Sequence, residues 1–383
     1  MLVKEDRTEG VRERGGGRIH TGAASMTAEP SARVWQQAVR LSAGESLIEG
    51  PLKGYHHETY AFPLPHPAGG AETVRWKCRE PREGILRFDR RFFDSEGALV
   101  RALAGRVTSV PETIEVDDIG LQRFIEGSTL AWYGGPGSAV AEPHVAQIAR
   151  LFRELAAVPE AALLAHARDP SAGDVADGDC GSFAERLIRF TQDRVHQVHW
   201  PVYGGLFAEL GVPEEGPARL VEETRSFSRR PFCLLHGDLH RDNFIVDGDG
   251  RLWTIDWELA MFGDPLYDLA THLHLMDYPP EQEADVARRW HRAVEEARPG
   301  GSYGWRADLP YLLRYKRAQS VYTDVIRAAL GVTPGDGDRS ALRRTSRRLQ
   351  KVLARGRPAL GAAEPPDVCR IMAALERFSG PAT

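Results

Sequence analysis

Residues 233–258 constrain this chain more than any other stretch of its sequence. Within them, residues 244–246 (Phe-Ile-Val) and 252–255 (Leu-Trp-Thr-Ile) are short β-branched and aromatic runs, separated by Asp-Gly-Asp-Gly. Asp and Gly tolerate positive φ, as a tight turn requires, so the two runs are predicted to pair as a β-hairpin. The hairpin places Asn243 just before its first strand and Asp256 at the end of its second.

The side chains of Asn243 and Asp256 can therefore meet at one edge of a rigid ribbon. Mg²⁺ favours such a site, because it takes only one or two protein oxygens and leaves positions for phosphates and water. Asp238 lies on the loop before Asn243, where it can stand beside the metal without binding it. Its expected role is to accept or orient the proton of an attacking hydroxyl, so the stretch predicts a phosphoryl-transfer site.

Each of these residues also has a purely structural explanation. A lone Asp often forms a turn and a lone Asn often caps a helix, and for His236 and His240 we favour structural support over a ligand role. The pattern His-x-Asp-x-His could also begin a di-metal phosphoesterase. That class needs further His and Asp clusters downstream, and only His272 and His274 offer any, inside a helical run.

The motifs resemble a known family. The order Asp-x-x-x-x-Asn followed by Asp matches the catalytic loop of protein kinases. The sequence H-G-D-L-H-x-x-N with I-D-W-E, and then G-D-P-L-Y-D-L-A, resembles the aminoglycoside and choline kinase-like phosphotransferases more closely, over roughly residues 47–276. The resemblance implies Asp238 as catalytic base and Asn243 and Asp256 as Mg²⁺ ligands. A eukaryotic-type protein kinase is disfavoured, because Asp-Phe-Gly and Ala-Pro-Glu are both absent.

The predicted fold is a two-lobed, protein kinase-like α+β fold with ATP between the lobes. Residues 1–30 are rich in Gly, Arg, Glu and Ser without apolar periodicity, which predicts disorder. Residues 31–125 are predicted to form the small N-lobe, a nucleotide-binding antiparallel sheet with a helix. Residues 126–383 are predicted to form a mostly helical C-lobe that carries the catalytic hairpin and the acceptor site.

The nucleotide loop and its lysine are expected in the small lobe. Residues 47–64 read as strand, glycine turn and strand, where Gly54 allows backbone N–H groups to approach the phosphates; a plain hairpin is the alternative. Residues 73–79 alternate apolar and basic side chains, as a half-buried strand should. Lys77 is the best candidate to bind the α- and β-phosphates, with Arg75 and Arg79 on the same face as alternatives.

Two further nucleotide contacts are expected. Residues 92–103 have helical spacing, and Glu96 in the first turn can point back to Lys77 as an ion-pair partner, although a glutamate there also suits the helix dipole. The last strand of the small lobe then runs into a hinge. There the resemblance implies that adenine is bound by the backbone groups of Arg123, Phe124 and Ile125.

Composition narrows the partners. The 383 residues are 42% hydrophobic and 27% charged, as in ordinary soluble proteins. No apolar run approaches the ~20 residues of a membrane helix and no signal-peptide layout begins the chain, so we expect a cytoplasmic protein with no membrane partner. The net charge of −5 argues against nucleic acid as the main partner but permits a cationic small molecule. The four cysteines form no Cys-x-x-Cys pair, which argues against a zinc site.

Lysine is rare in this chain and arginine is abundant. A lysine is therefore more informative than usual about a position that needs a compact point charge. The five lysines are Lys4, Lys53, Lys77, Lys316 and Lys351.

Beyond residue 127 the apolar spacing predicts a succession of helices. A run from residue 183 to 207 is expected to be helical only up to Pro201. The other predicted helices are 145–155, 269–276, 281–297, 309–330, 340–354 and 366–378.

The predicted function is an ATP- and Mg²⁺-dependent transfer of the γ-phosphate to a hydroxyl of a small molecule, an antibiotic or a metabolite. One alternative is a kinase that phosphorylates Ser or Thr of a precursor peptide in a lanthipeptide-type pathway. Another is an inactive nucleotide-binding pseudokinase, which the intact set of Asp238, Asn243 and Asp256 argues against.

Overall fold

The computed structural model describes residues 32–42, 44–52, 57–65, 73–82, 88, 90–167, 175–332 and 338–378. The disorder expected for residues 1–30 and the role given to Gly54 lie outside the described residues. The strands are β1 (His57–Pro65), β2 (Thr73–Pro81), β3 (Thr113–Val116), β4 (Ile119–Arg123), β5 (Gly127–Thr129), β6 (Cys233–Leu235), β7 (Phe244–Asp247), β8 (Leu252–Thr254) and β9 (Met261–Gly263). The helices are α1 (Ala32–Leu41), α2 (Glu96–Leu103), α3 (Leu130–Tyr133), α4 (Glu142–Ala157), α5 (Cys180–Phe190), α6 (Val198–Glu209), α7 (Val221–Thr224), α8 (Pro265–Met276), α9 (Pro280–Ala297), α10 (Trp305–Leu330), α11 (Arg339–Leu360) and α12 (Val368–Phe378).

The first four strands form one antiparallel sheet in the order β1-β2-β4-β3. Side chains alternate along β2: Trp76 and Cys78 are buried in an apolar cluster that includes residues of α1. Lys77 and Arg79 consequently belong to the opposite face of the strand. The alternation predicted for residues 73–79 is confirmed, whereas the strand expected before Gly54 is reduced to the isolated bridge between Glu49 and Ala61.

Helix α2 begins at Glu96, which confirms the prediction that Glu96 lies in its first turn. Ser95 is the N-cap, and its hydroxyl accepts the Ala98 N–H at 3.3 Å. A serine cap of this kind satisfies a donor that the first turn cannot satisfy itself. Leu99 and Leu103 on the buried face of α2 join the large apolar core that extends through the rest of the chain.

The predicted hairpin is confirmed as β7 and β8, with Val246 opposite Leu252. Strand β5 extends it to a three-stranded sheet in the order β5-β7-β8. Gly127 permits this pairing, because a Cβ there would lie 2.2 Å from the Val246 carbonyl oxygen. The short pair β6 and β9 then joins the strand before the catalytic loop to the strand after it.

The remaining elements are helical, and α10 packs against α8 and against α11. The helical run after α5 continues through a π-helical segment, residues 191–197, into α6 and ends at Glu209. The helical stop predicted at Pro201 is therefore wrong. Pro201 lies inside α6, and the helical run continues through it although proline removes one backbone donor from the helix.

The chain thus begins with an antiparallel sheet and few helices and continues with a mostly helical part. This architecture confirms the predicted α+β, two-lobed, kinase-like fold. The described ranges contain no helix that combines the length and the apolar character needed to cross a bilayer.

Candidate active site

The hairpin brings two predicted site residues to one end of the ribbon. Asn243 immediately precedes β7, and Asp256 follows β8 after Ile255. The Ile255 N–H donates to the Asn243 carbonyl oxygen at 3.0 Å, which holds the two ends of the hairpin side by side. Asp256 has a φ of 64°, a left-handed conformation that is uncommon outside glycine and concentrates at functional sites. Its surroundings therefore hold this carboxylate in an orientation that a free chain rarely adopts.

Asp238 lies against Asn243. The Asn243 Nδ2 donates to the Asp238 carbonyl oxygen at 2.9 Å and to its Oδ2 at 3.1 Å, which leaves the Asn243 Oδ1 as the amide's cation-binding atom. The His240 Nε2 lies 3.4 Å from the Asp238 Oδ2, while the His240 Nδ1 accepts the Asp242 N–H at 3.2 Å. Burial raises the pKa of Asp238, but the hydrogen bond and charge of His240 outweigh it and hold that pKa below its ordinary value. Asp238 is thus an ionised carboxylate, ready to accept a proton.

His236 forms hydrogen bonds that hold the loop carrying Asp238 in place. Its Nδ1 accepts the Asp238 N–H at 3.3 Å, and its Nε2 lies 3.2 Å from the Ile255 carbonyl oxygen, so the neutral ring carries its proton on Nε2. Burial lowers the pKa of His236 to about 4. The Asp268 carboxylate accepts the N–H groups of His236 and Gly237 at 3.1 and 2.8 Å. These contacts agree with the supporting role that the sequence favoured for this histidine.

Arg241, between Asp238 and Asn243, anchors the same loop to distant segments. It is buried, and its guanidinium donates to the carbonyl oxygens of Met276 at 3.1 Å, Gly134 at 2.9 Å and Ser138. No pattern in the sequence indicated this role, because all three partners are backbone carbonyl oxygens, which every residue has.

Glu96 corrects one expectation from the sequence. It forms its salt bridge with Arg79 and not with Lys77, and its other carboxylate oxygen accepts the Trp257 N–H at 3.1 Å. Arg79 is the alternative that shares a face with Lys77, and it reaches the start of α2 because it lies two residues further along β2. Glu96 therefore ties the sheet to the residue that directly follows Asp256.

The Lys77 ammonium group forms no ion pair or hydrogen bond within the part of the chain that the structure describes. Burial and, to a smaller extent, the neighbouring charge of Arg79 lower the pKa of Lys77 to about 7, and the charge of Asp256 partly opposes them. The lysine and the candidate metal ligand therefore interact across the space between the sheet and the hairpin. Arg75, the third basic residue of this face, is instead held by Glu49 and Glu126.

Three carboxylates surround the candidate metal position. Glu96, Asp256 and Glu258 each have an oxygen within 4.8 Å of the others. Glu96 is paired with Arg79, and Glu258 is paired with Arg91. Among the described residues, Asp256 accepts no hydrogen bond and forms no salt bridge. Its carboxylate and the amide oxygen of Asn243 are hard oxygen donors of the kind that fit Mg²⁺.

The predicted hinge residues differ in whether their backbone N–H group already donates a hydrogen bond. The Arg123 N–H donates to the Glu112 carbonyl oxygen at 2.7 Å, and the Phe124 N–H donates to that of Arg75 at 2.8 Å. Both donors are therefore used within the small sheet. Ile125 is buried and donates no backbone hydrogen bond to the described residues. Of the three predicted adenine contacts, only Ile125 keeps its N–H for a ligand.

A cleft of about 150 Å³ adjoins Asp238 and Asp256 and continues between α10, α8 and the residues Phe88, Arg90 and Arg91. Its lining includes Lys316, which the sequence analysis did not assign to the site. The rarity of lysine was a usable signal for it. Nothing in the local sequence links α10 to the catalytic loop, because the two are brought together only by packing.

The structure thus has a lysine on a small antiparallel sheet, and an amide and two carboxylates at or just before one end of a hairpin, as the sequence predicted. The model of the phosphotransferase enzyme family matches residues 65–302, so the chain belongs to this family.

Solved structures similar to this chain share little sequence with it. A choline/ethanolamine kinase family protein from Mesorhizobium loti is 18% identical, with 89% of this chain and 98% of that chain covered and a TM-score of 0.45. The macrolide 2'-phosphotransferase MphH from Brachybacterium faecium is 16% identical, with 88% and 99% covered and a TM-score of 0.46. The choline kinase LicA from Streptococcus pneumoniae is 15% identical, with 83% and 98% covered and a TM-score of 0.48. Comparison with curated proteins gives no significant match.

Proposed function

We propose that this protein transfers the γ-phosphoryl group of ATP to a hydroxyl group of a small molecule, with Mg²⁺ as the metal. One observation carries the proposal: the Asp238 carboxylate, the Asn243 amide and the Asp256 carboxylate meet at one end of a hairpin, beside a cleft. Membership of the phosphotransferase family supports the same reaction class.

Asp238 acts on the acceptor. Its ionised carboxylate orients the acceptor O–H and takes its proton as the oxygen attacks the γ-phosphorus. A new P–O bond forms to the acceptor, the bond from the γ-phosphorus to the bridging oxygen breaks, and ADP leaves with the electron pair. His240 keeps Asp238 ionised before the reaction, which is why its position 3.4 Å away supports this role.

Asn243 and Asp256 would hold the metal, which, when bound, neutralises charge on the ATP phosphates. Lys77 binds the phosphates with its own charge, and this role is supported by its lack of an ion-pair partner within the described ranges. Glu96 and Arg79 position the segment after Asp256 rather than touching the nucleotide. In the hinge, the free backbone donor of Ile125 is the proposed contact to adenine.

The test compares three aspartate-to-asparagine variants of the same hairpin region. Asp238→Asn should abolish transfer while nucleotide affinity stays near that of the wild type, and Asp256→Asn should weaken Mg²⁺-dependent ATP binding. Asp249→Asn is the matched control, because Asp249 is exposed on the hairpin turn. ATP consumption against pooled hydroxyl acceptors and nucleotide binding by calorimetry are the measurements. Full activity of both site variants would refute the assignment.

A further inference from the structure

We propose that helix α11 is a docking surface for a short acidic segment of another protein. The segment binds the basic stripe, which consists of Arg339, Arg343, Arg347 and Lys351 on this helix. No residue of α11 belongs to the described lining of the cleft beside Asp238. The interaction is therefore separate from the proposed phosphoryl transfer and does not rest on it.

The charges of α11 all have one sign. Its 22 residues include eight Arg or Lys residues and no Asp or Glu. Helix α9 has the more usual mixture, with five acidic and three basic residues among 18. The whole chain has a net charge of −5, so the residues outside α11 together carry −13. This helix is thus a concentrated positive region on a chain that is otherwise negative, and such a region attracts anions.

Nearby acidic residues compensate some of these cations but not those of the basic stripe. Arg348 lies close enough to Asp324 to oppose the rise that burial causes in the pKa of that carboxyl group. The four residues of the basic stripe are exposed, and within the described ranges none of them forms a salt bridge or a side-chain hydrogen bond. Three other arginines of the helix are held in salt bridges: Arg344 with Asp338, Arg355 with Asp277 and Arg357 with Glu364.

The basic stripe repeats every four residues. Four residues of an α-helix rise about 6 Å, so neighbouring cations repel one another and the whole stripe is about 18 Å long. In an extended polypeptide, alternate side chains point the same way and lie about 6.6 Å apart. A segment with acidic residues at alternate positions can therefore place one carboxylate beside each cation and relieve their repulsion.

The packing of α11 favours a peptide over a bilayer. Leu349, Leu353 and Leu360 are buried in the large apolar core, and the helix packs against α10 and α12. The apolar face of α11 is therefore not available to insert into a membrane, as the apolar face of a membrane-surface helix must be.

The ends of α11 limit the length of the anion. Asp338 is the N-cap of the helix, and Glu364 and Asp367 follow its end. A long polyanion such as a nucleic acid would run past these residues onto a surface with net negative charge, which repels it. An extended segment of about seven residues is as long as the basic stripe.

The first 30 residues of the chain do not supply such a segment. They contain five acidic and five basic residues, so their charges cancel. The acidic segment is therefore expected to come from another protein.

The experiment measures binding to the full chain at about 50 mM salt, where exposed charges are only partly screened. The first probe is a fluorescein-labelled peptide of about seven residues in which Glu and Ser alternate, followed by fluorescence anisotropy. A labelled single-stranded oligonucleotide with the same number of charges is the second probe. Vesicles that contain phosphatidylserine, tested by sedimentation, are the third. The peptide should bind most tightly, and its affinity should fall as the salt concentration is raised.

The test variant removes three charges of the basic stripe together: Arg343→Gln, Arg347→Gln and Lys351→Gln. It should weaken peptide binding about 3- to 100-fold, as expected for the loss of three exposed ion pairs. Its Tm and its ATP turnover should stay at the wild-type values, because these side chains are exposed and lie outside the cleft lining.

The matched control removes three exposed charges from other elements: Arg106→Gln, Arg288→Gln and Arg292→Gln. It should change the affinity for the peptide less than about 2-fold, because distant exposed charges are screened. The inference is overturned if the peptide does not bind, if both triple variants lose the same affinity, or if the oligonucleotide or the vesicles bind more tightly than the peptide.

Discussion

Arg230 joins the beginnings of α8 and α10, two helices that line the cleft beside Asp238, and its removal gives a measurable prediction. The side chain is 0% exposed. Its Nε and Nη2 donate to the two carboxylate oxygens of Asp264, the N-cap of α8, at 2.9 and 2.6 Å. Its Nη1 donates to the Asp308 Oδ2 in the first turn of α10 at 2.5 Å, and to the Tyr303 carbonyl oxygen at 2.9 Å. One cation therefore compensates two buried carboxylates.

Arg230→Met keeps most of the volume and removes the charge. Asp264 and Asp308 are 1% and 3% exposed, so both carboxylates would stay buried without their counter-charge. Breaking a buried pair from one side costs about 3 to 5 kcal/mol, and we expect the free energy of unfolding to fall by that amount. At roughly 2 °C per kcal/mol for a chain of this size, the Tm should fall by about 6 to 10 °C.

The assay is urea unfolding followed by circular dichroism, together with calorimetry for the Tm. Arg225→Met is the matched control, because Arg225 pairs with Glu222 where both side chains are more than two-thirds exposed, and an exposed pair is worth no more than about 1 kcal/mol. The double variant Arg230→Met with Asp308→Asn should regain part of the loss, since one stranded charge is removed. A loss below about 1 kcal/mol for Arg230→Met, or one equal to that of Arg225→Met, would refute the reasoning.

Three further predictions concern the site and its supports. Lys77→Met should raise KM for ATP about 10- to 100-fold in steady-state assays, because one charge-assisted contact to the phosphates is lost; an unchanged KM would remove Lys77 from the site. His272 is buried and burial lowers its pKa to about 4 from 6.5, so its stabilising contribution is complete above pH 6.5 and about 3 kcal/mol is lost as pH falls through 4. Unfolding free energies from pH 7 to 4 should therefore fall less steeply in His272→Gln, and equal slopes would contradict this. Gly237→Ala should lower the free energy of unfolding by about 1 to 3 kcal/mol and lower kcat, because the φ of Gly237 is 81° and a Cβ there would lie 2.5 Å from the Leu259 carbonyl oxygen. Chemical unfolding and steady-state kinetics measure the two effects, and wild-type values for both would contradict this prediction.

The proximity of the three candidate site residues was predictable because they are close in sequence. Asp238, Asn243 and Asp256 lie within two dozen residues, and a turn of Asp and Gly between two β-prone runs brings the last two together. Helical spacing likewise predicted most of the helices. The helical stop expected at Pro201 was wrong, because the helical run continues through that residue to Glu209.

The sequence by itself determined the hairpin, the order of the catalytic side chains and the alternation that separates Lys77 from the buried face of β2. Only the tertiary structure decided that Glu96 pairs with Arg79, that Arg230 holds Asp264 and Asp308, and that Lys316 lies in the cleft. The physical reason is the same in each case. Hairpin register and side-chain alternation follow from backbone geometry over a few residues, whereas the partner of a charged side chain depends on how separate elements pack, and the spacing of residues along one element does not specify that packing.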